Sequence, residues 1–194
     1  MTVLHIITGL SVGGAEAMLV KLLGSMDRTR FDPVVVSLTS GGPNRDVIAE
    51  MGIPVHELGM RPGVPGPVVL TRLVRLARQL RPDVVQGWMY HGNLAASWIR
   101  AWAPKAPAMV WNIQHSLDDI RNEKTLTQAV IRLGSRLDWQ AQAVVCNSQV
   151  SLEQHGHVTA GILFDRRGSA LTLPYTSAHA ADSARPPSRK RGRQ

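Results

Sequence analysis

The amino-acid sequence predicts an α/β protein built on a parallel sheet of about six to seven strands, with helices on both faces. Short apolar runs alternate along the chain with segments whose apolar residues recur at helical spacing, which is the pattern of repeated βαβ units. Several of the short runs are apolar at consecutive positions, as strands buried on both faces are. Polar residues and glycines follow the runs, where the carboxyl ends of parallel strands meet.

The elements of the first half alternate regularly. The apolar run Val3–Ile7 predicts the first strand. The helix that follows has apolar residues three or four positions apart, namely Ala15, Met18, Leu19, Leu22, Leu23 and Met26. Further strands are predicted at Val34–Leu38 and at residues 54–57, with a short helix from Arg45 to Met51 between them.

The second half continues the alternation. A helix from Leu70 to Leu80 has one apolar face, and Arg72, Arg75 and Arg78 lie away from it, which predicts a solvated surface without a ligand. Tryptophans at helical positions are predicted to lie in the core or at a domain interface; they are Trp98, Trp102 and Trp139. The remaining elements are strands at 83–86, 108–113 and 143–146 and helices at 94–102, 126–137 and from residue 150.

The sequence changes character beyond about Gly161. Residues 168–194 are rich in Ser, Ala, Pro and Arg without apolar periodicity, and such a segment buries too little surface to offset its ordering entropy. We therefore predict a folded domain over residues 1–165 and a basic, disordered tail over residues 166–194. The tail carries +6 of the formal net charge of +8, so the domain is nearly neutral and no nucleic-acid partner is predicted.

The expected compartment is the cytoplasm. The single cysteine, Cys146, fits a reducing environment and excludes an internal disulfide and a cysteine-based metal cluster. The sequence shows neither a signal-peptide pattern nor an apolar run of roughly 18 residues that would cross a bilayer. Two interpretations of the basic tail are left open: a segment without function, or a peripheral contact with anionic lipid at the inner membrane face.

A paired glycine, Gly13-Gly14, opens the first predicted helix. Glycines let backbone N–H groups approach an anion closely, and a helix N-terminus favours negative charge. A plain tight turn explains the pair equally well. The spacing is not that of the dinucleotide motif G-x-G-x-x-G, no acid follows the second strand, and no P-loop is present.

Further polar residues follow later strands. His91 and Asn93 come after the fourth strand, His115 after the fifth and Asn147 after the sixth. Histidines and amides at adjacent strand ends suit a polyhydroxy ligand, whereas a lone histidine in a loop is often incidental. Asn147 or Ser148 has the further alternative of capping the next helix. No histidine has partners at metal-ligand spacing, so no metal site is predicted.

Four segments together resemble the N-terminal domain of the family-4 retaining glycosyltransferases, which assemble exopolysaccharide and lipopolysaccharide. They are "HIITGLSVGGAEAMLVKLL", "RPDVVQGWMYHGNLAAS", "WNIQHS" and "AVVCNSQVSLEQH". The resemblance covers roughly residues 2–160. It implies one half of a GT-B fold, in which two Rossmann-like domains face a cleft, and it implies no metal ion and no cofactor apart from the nucleotide-sugar co-substrate.

The resemblance also implies roles for the site residues. Gly13 and Gly14 match the loop that approaches the donor diphosphate, and His115 matches a histidine in the cleft near the reacting sugar. We predict that binding of a glycan or lipid-linked acceptor involves five residues, namely Glu16, His91, Asn93, His115 and Asn147.

The sequence departs from the family after "GILFDRRG". Family members continue into a donor domain whose two glutamates grip the nucleotide-sugar, but here an Arg/Pro/Ser/Ala-rich segment follows. We expect a truncated product of a reading-frame shift, a glycosyltransferase that is inactive alone. The alternative is a non-catalytic module that binds an acceptor or a partner. A nucleotide-dependent oxidoreductase is disfavoured by the missing acid after the second strand.

Overall fold

The structure is a computed structural model that describes residues 1–61, 66–102, 107–113, 125–134, 136–137 and 140–146. Two predicted site residues, His115 and Asn147, lie outside the described residues. The helix predicted from residue 150 and the tail predicted over residues 166–194 lie outside them as well.

The sheet has six strands in the described ranges, and every strand pairing is parallel. The strands are β1 (Thr2–Ile7), β2 (Asp32–Ser37), β3 (Val55–Glu57), β4 (Val84–Trp88), β5 (Ala108–Ile113) and β6 (Ala143–Cys146). They lie in the order β3-β2-β1-β4-β5-β6. This Rossmann-like α/β sheet confirms the predicted fold class.

Five helices connect the strands: α1 (Gly14–Ser25), α2 (Pro43–Glu50), α3 (Pro67–Leu80), α4 (Met89–Trp102) and α5 (Thr125–Gly134). Proline begins α2 and α3, where its missing N–H removes no helical hydrogen bond. Helix α3 ends at Arg81, whose φ of 47° is left-handed. Within the described residues, no helix is long and apolar enough to span a bilayer.

Two apolar clusters hold the helices against opposite faces of the sheet. Leu4 and Ile6 of β1 belong to a cluster that includes Leu73 of α3 and Ile99 of α4. Ile7, on the other face of the same strand, belongs to a cluster with α1 and α2 that includes Leu19, Leu23 and Ile48. Each such buried leucine or isoleucine contributes about 1.5–3 kcal/mol, so the two clusters fix the positions of the helix N-termini.

Of the two positions predicted for Trp98 and Trp102, the core is wrong, and the domain interface stays a prediction. Their side chains are 38% and 56% exposed on the outer surface of α4. The helix packs through a different set of residues, which includes Leu94, Ala95, Ala96 and Ile99. Trp139 lies outside the described residues.

The point at which strand order reverses lies between β1 and β4. The chain leaves β1 toward β2 through α1, and it leaves β4 toward β5 through α4. Because the two connections diverge, a crevice opens at the carboxyl ends of these neighbouring strands, which is where ligands bind in open α/β sheets. The register pairs Ile6 with Gly87, so the two strands end at the same edge.

Candidate functional site

The loop between β1 and α1, residues 8–13, is held by the N-terminus of α2. The backbone N–H of Asn44 donates to the Leu10 carbonyl at 3.1 Å, and its side-chain Nδ2 donates to the Ser11 carbonyl at 2.5 Å. Gly42, with φ of 110° and ψ of 143°, packs directly on the Leu10 carbonyl. The loop that opens α1 is therefore positioned by its neighbour in the sheet.

The end of β3 in turn supports the segment that leads into α2. Glu57 accepts the backbone N–H of Gly41 at 2.5 Å and pairs with Arg45 Nε at 3.3 Å. Thr39 Oγ1 donates to the Thr8 carbonyl at 2.9 Å, so the loops after β1 and β2 are joined at their bases as well. Three adjacent strand ends thus form one connected support for the glycine loop.

The paired glycines lie where the sequence predicts, at the start of α1. Gly13 precedes the helix with extended backbone, and Gly14 is its first residue. Neither glycine has a positive φ, in contrast to Gly41 and Gly42. A Cβ at Gly14 would have no described heavy atom within 4 Å. Among the described residues, a tight turn therefore does not require glycine at Gly14, which weakens that alternative, and diphosphate binding by the pair stays a prediction.

Glu16 folds back over the N-terminus of its own helix. Its carboxylate reaches the position that a Cβ on Gly13 would take, and Ser11 Oγ donates to its Oε1 at 3.5 Å. A negative charge is stabilised there because the first N–H groups of a helix have no helical acceptor. The position indicates that the helix N-terminus attracts anions.

Strand β4 passes into α4 without a loop, through a left-handed residue. Met89 has φ of 60°, which is uncommon for a residue with a side chain. Gly92 makes this sharp junction fit, because a Cβ there would collide with the Ile6 carbonyl of β1. Sequence reasoning placed the start of this helix several residues later, and no local signal identifies methionine as the left-handed residue.

His91 lies in the first turn of α4, at the edge of the sheet where Gly13 and Gly14 lie. Its side chain is half-buried, and burial lowers the pKa of the imidazole from its ordinary value. A neutral imidazole both donates and accepts a hydrogen bond, which suits a sugar hydroxyl. The structure therefore brings His91 and the glycine pair to adjacent strand ends, on the two sides of the crevice.

Asn93 is 2% exposed and packs between α4 and the sheet. A Cβ on Gly87 would lie 2.6 Å from its Oδ1, so the absence of a side chain on Gly87 makes room for it. Its Oδ1 has no hydrogen-bond partner among the described residues. This burial favours a packing role, and acceptor binding by Asn93 stays a prediction.

Two predicted site residues lie outside the described residues. His115 and Asn147, which would follow β5 and β6, are not placed relative to the crevice. In the described part of the chain, no three His, Cys, Asp or Glu side chains are grouped as a metal ion would require.

Solved structures of Anabaena HepE have a similar fold. The complex of HepE with UDP superposes with a TM-score of 0.65 at 20% sequence identity, over 89% of this chain and 43% of HepE. The complexes with UDP and glucose and with UDP-glucose give TM-scores of 0.62 and 0.63 at 20% and 21% identity. This chain thus spans less than half the length of HepE.

The sequence itself settles the family. The model of the glycosyl transferase 4-like domain matches residues 13–157, which begin at the paired glycine and cover most of the chain. No curated protein matches the sequence. With the matched segment, the Rossmann-like sheet and the crevice between β1 and β4 in agreement, the chain belongs to the glycosyl transferase 4-like domain family.

Proposed function

We propose that this chain forms one wall of a cleft in which a hexosyl group passes from a nucleotide-sugar to a glycan or lipid-linked acceptor. Family membership supports this proposal, as does the match to less than half of HepE, because a two-sided cleft needs a second domain. We propose that a donor-binding domain outside these residues supplies the other wall. A lipid-linked acceptor would be met at the inner membrane face, where the protein would bind peripherally.

The open space above Gly14 is the observation that carries the proposal. Among the described residues no contact requires glycine there, and the missing side chain leaves room for an anion to approach the N–H groups at the start of α1. Such N–H groups stabilise negative charge that develops on a leaving diphosphate, without reorganisation and without a metal ion. Neutral His91, across the crevice, would bind a sugar hydroxyl. Because HepE binds UDP and UDP-glucose, a UDP-sugar is the first donor to test.

Replacing Gly14 by alanine tests the anion site. The variant should fold as stably as the parent, because the new methyl group meets no described atom. It should bind UDP-glucose at least about tenfold more weakly, since one charge-assisted backbone hydrogen bond is worth about 1.5–3 kcal/mol. Line broadening of the two phosphate signals of UDP-glucose in ³¹P NMR measures the binding, and thermal unfolding measures the fold.

Gly24→Ala is the matched control. Gly24 lies at the far end of the same helix, and a Cβ there has ordinary contact with Met51 at 3.9 Å. This variant should bind UDP-glucose as the parent does and should be stabilised by about 0.5–1 kcal/mol. Equal binding by the Gly14 variant, the Gly24 variant and the parent would refute the proposed diphosphate site.

Glu16→Gln should strengthen the binding of inorganic pyrophosphate by about two- to fivefold. The Glu16 carboxylate lies over the start of α1, so it repels a second anion there, by about the 0.3–1 kcal/mol that a charge gains at a helix end. The same change should lower stability by a similar amount. Calorimetric titration with pyrophosphate measures the first effect. Weaker binding by the variant would mean that Glu16 does not oppose the anion.

An assay of sugar transfer decides whether the protein acts as an enzyme or as a non-catalytic binding module. A transfer assay would combine the chain, a panel of UDP- and GDP-sugars and a separately produced donor domain from a related glycosyltransferase. Transfer in the combined sample that the Gly14→Ala variant lacks would support catalysis. Diphosphate binding without transfer for every sugar would favour the module.

A further inference from the structure

The helices on the two faces of the sheet differ in charge. Helices α3, α4 and α5 contain no acidic residue and together carry five arginines, namely Arg72, Arg75, Arg78, Arg100 and Arg132. Helices α1 and α2 carry two basic and three acidic residues. The near neutrality of the domain therefore conceals one strongly positive side.

Among the described residues, the arginines of α3 have no acidic partner. Arg72, Arg75 and Arg78 are exposed, and the ion pairs among the described residues involve Arg45 instead. Arg72 donates to the Leu58 carbonyl at 3.3 Å and Arg78 to the Trp102 carbonyl at 3.1 Å, which orients the guanidinium groups without neutralising them. The positive charge of this surface is therefore available to an anionic partner.

An exposed pair of tryptophans adjoins these arginines. Trp98 and Trp102 lie one turn apart on α4, with ring centroids separated by 6.1 Å and ring planes inclined by 35°. The bond from Arg78 to the Trp102 carbonyl joins the pair to the arginine row of α3. Two indole rings exposed side by side form an apolar patch of the kind that marks an interaction site.

This surface is separate from the crevice. Helix α4 begins at the carboxyl edge of the sheet and runs back along it, so Trp98 and Trp102 lie about 14 Å and about 20 Å along the helix from Met89. A ligand at the glycine loop does not reach them. A partner that binds the tryptophans and arginines is therefore different from the ligand of the proposed sugar-transfer site.

The positive charge of this surface indicates which kind of partner it binds. The segment 166–194 holds seven basic residues and one acid, so it is repelled, and a second copy would present the same positive face. Arginine side chains bind anionic lipid headgroups, and tryptophan rings settle at the depth of those headgroups, with the ring in apolar surroundings and its N–H in water. We propose that the outer surface of α3 and α4, with Trp98, Trp102 and the arginine row, docks onto an anionic membrane.

The proposal assigns the peripheral membrane contact of the proposed function to a folded surface of the protein. It rests on that part of the proposed function alone. It departs from the expectation that the arginine face has no ligand. It also replaces the basic tail as the expected point of contact. A lipid-linked acceptor would then be presented to a protein already held at the membrane.

Cosedimentation of the full chain with vesicles tests the proposal. Vesicles of phosphatidylcholine with one-third phosphatidylglycerol should bind the parent, and pure phosphatidylcholine vesicles should not. Replacing Arg72, Arg75 and Arg78 together by glutamine should weaken binding by about a hundredfold, at roughly fivefold for each charge. The double variant Trp98→Ser, Trp102→Ser should lose both binding and the blue shift of tryptophan fluorescence on anionic vesicles.

Two controls use charges elsewhere in the chain. Arg28→Gln removes an exposed arginine outside these helices and should leave vesicle binding unchanged. Glutamines at Arg189, Lys190, Arg191 and Arg193 remove tail charge and should leave most of the binding intact. If the tail variant alone loses binding, the surface assignment is wrong. Binding to a single-stranded oligonucleotide without binding to vesicles would overturn the proposal in favour of a nucleic-acid partner.

The stability of the variants and their binding of UDP-glucose are measured separately from vesicle binding. The replaced side chains are exposed, so thermal unfolding of the variants should match the parent; if the tryptophan variant unfolds, the arginine variant still decides the outcome. Binding of UDP-glucose by the surface variants should be unchanged. Loss of vesicle binding with retained UDP-glucose binding therefore distinguishes failure at this surface from failure of the sugar-transfer proposal.

Discussion

Replacing Gly42 by alanine is expected to lower the free energy of unfolding by about 3 kcal/mol, from two separate causes. The backbone at Gly42 has φ of 110° and ψ of 143°, a conformation essentially confined to glycine, which costs another residue about 1–3 kcal/mol. A Cβ there would also collide with the Leu10 carbonyl and the backbone nitrogen of Ser11, and relieving such overpacking costs about 1–3 kcal/mol. Urea unfolding measures the loss.

Gly41→Ala separates the two causes. Gly41 has φ of 79°, but a Cβ there would meet no described atom within 4 Å, so the variant bears the conformational cost alone. We expect a loss of about 1–2 kcal/mol. Gly42→Ala should also weaken UDP-glucose binding, because it displaces the loop that carries Gly13. If the two variants lose equal stability and both retain UDP-glucose binding, Gly42 does not position that loop.

The position of Gly14 could be predicted from the sequence, whereas the contact of Gly42 with the loop after β1 could not. The spacing of the Gly13-Gly14 pair from the first strand correctly predicts that the pair opens the first helix, because a strand followed by an amphipathic helix leaves few places for the loop. The support of that loop joins segments far apart along the chain: Asn44 bonds to Ser11 across 33 residues, and Glu57 accepts from Gly41 across 16 residues. Such contacts have no local sequence signal.

The strands were predictable for a similar reason, and the helix surfaces were not. A run such as Val34-Val35-Val36 is buried on both faces of any parallel sheet, so composition alone indicates a strand. On α4, by contrast, tryptophans four residues apart fit a core face as well as an exposed one. The packing of α4 on β4 and β5 and against α3 and α5 decides the matter, and that arrangement depends on the whole fold.

A buried histidine in the first strand was also missed, because it sits within the apolar run Val3–Ile7. His5 is 0% exposed, and Trp88 Nε1 of β4 donates to its Nδ1 at 3.4 Å. The imidazole must therefore be neutral at Nδ1. Burial lowers the pKa of His5 from 6.5 to about 4, and a hydrogen bond with Gln86, its partner across the strand pairing, opposes the shift in part.

This lowered pKa predicts acid instability with a defined range. Unfolded His5 takes up a proton near pH 6.5, whereas folded His5 does so only near pH 4, so stability falls as the pH is lowered between these values. The stabilisation is fully present above pH 6.5, and the decline should reach about 3 kcal/mol at its lower end, at 1.36 kcal/mol for each pH unit. Urea unfolding at pH 7.5 and at pH 4.5 measures it.

His5→Phe should remove that part of the pH dependence while keeping an aromatic ring in the core. At pH 7.5 the variant should be less stable by about 1–3 kcal/mol, because the Trp88 N–H loses its buried acceptor. At pH 4.5 the difference should shrink or change sign, since protonation of the imidazole then favours the unfolded state of the parent and the variant has no imidazole there. His56→Gln, on the edge strand β3, should keep the slope of the parent. If His5→Phe and the parent lose stability in parallel between the two pH values, the neutral His5–Trp88 pair is not what makes the fold sensitive to acid.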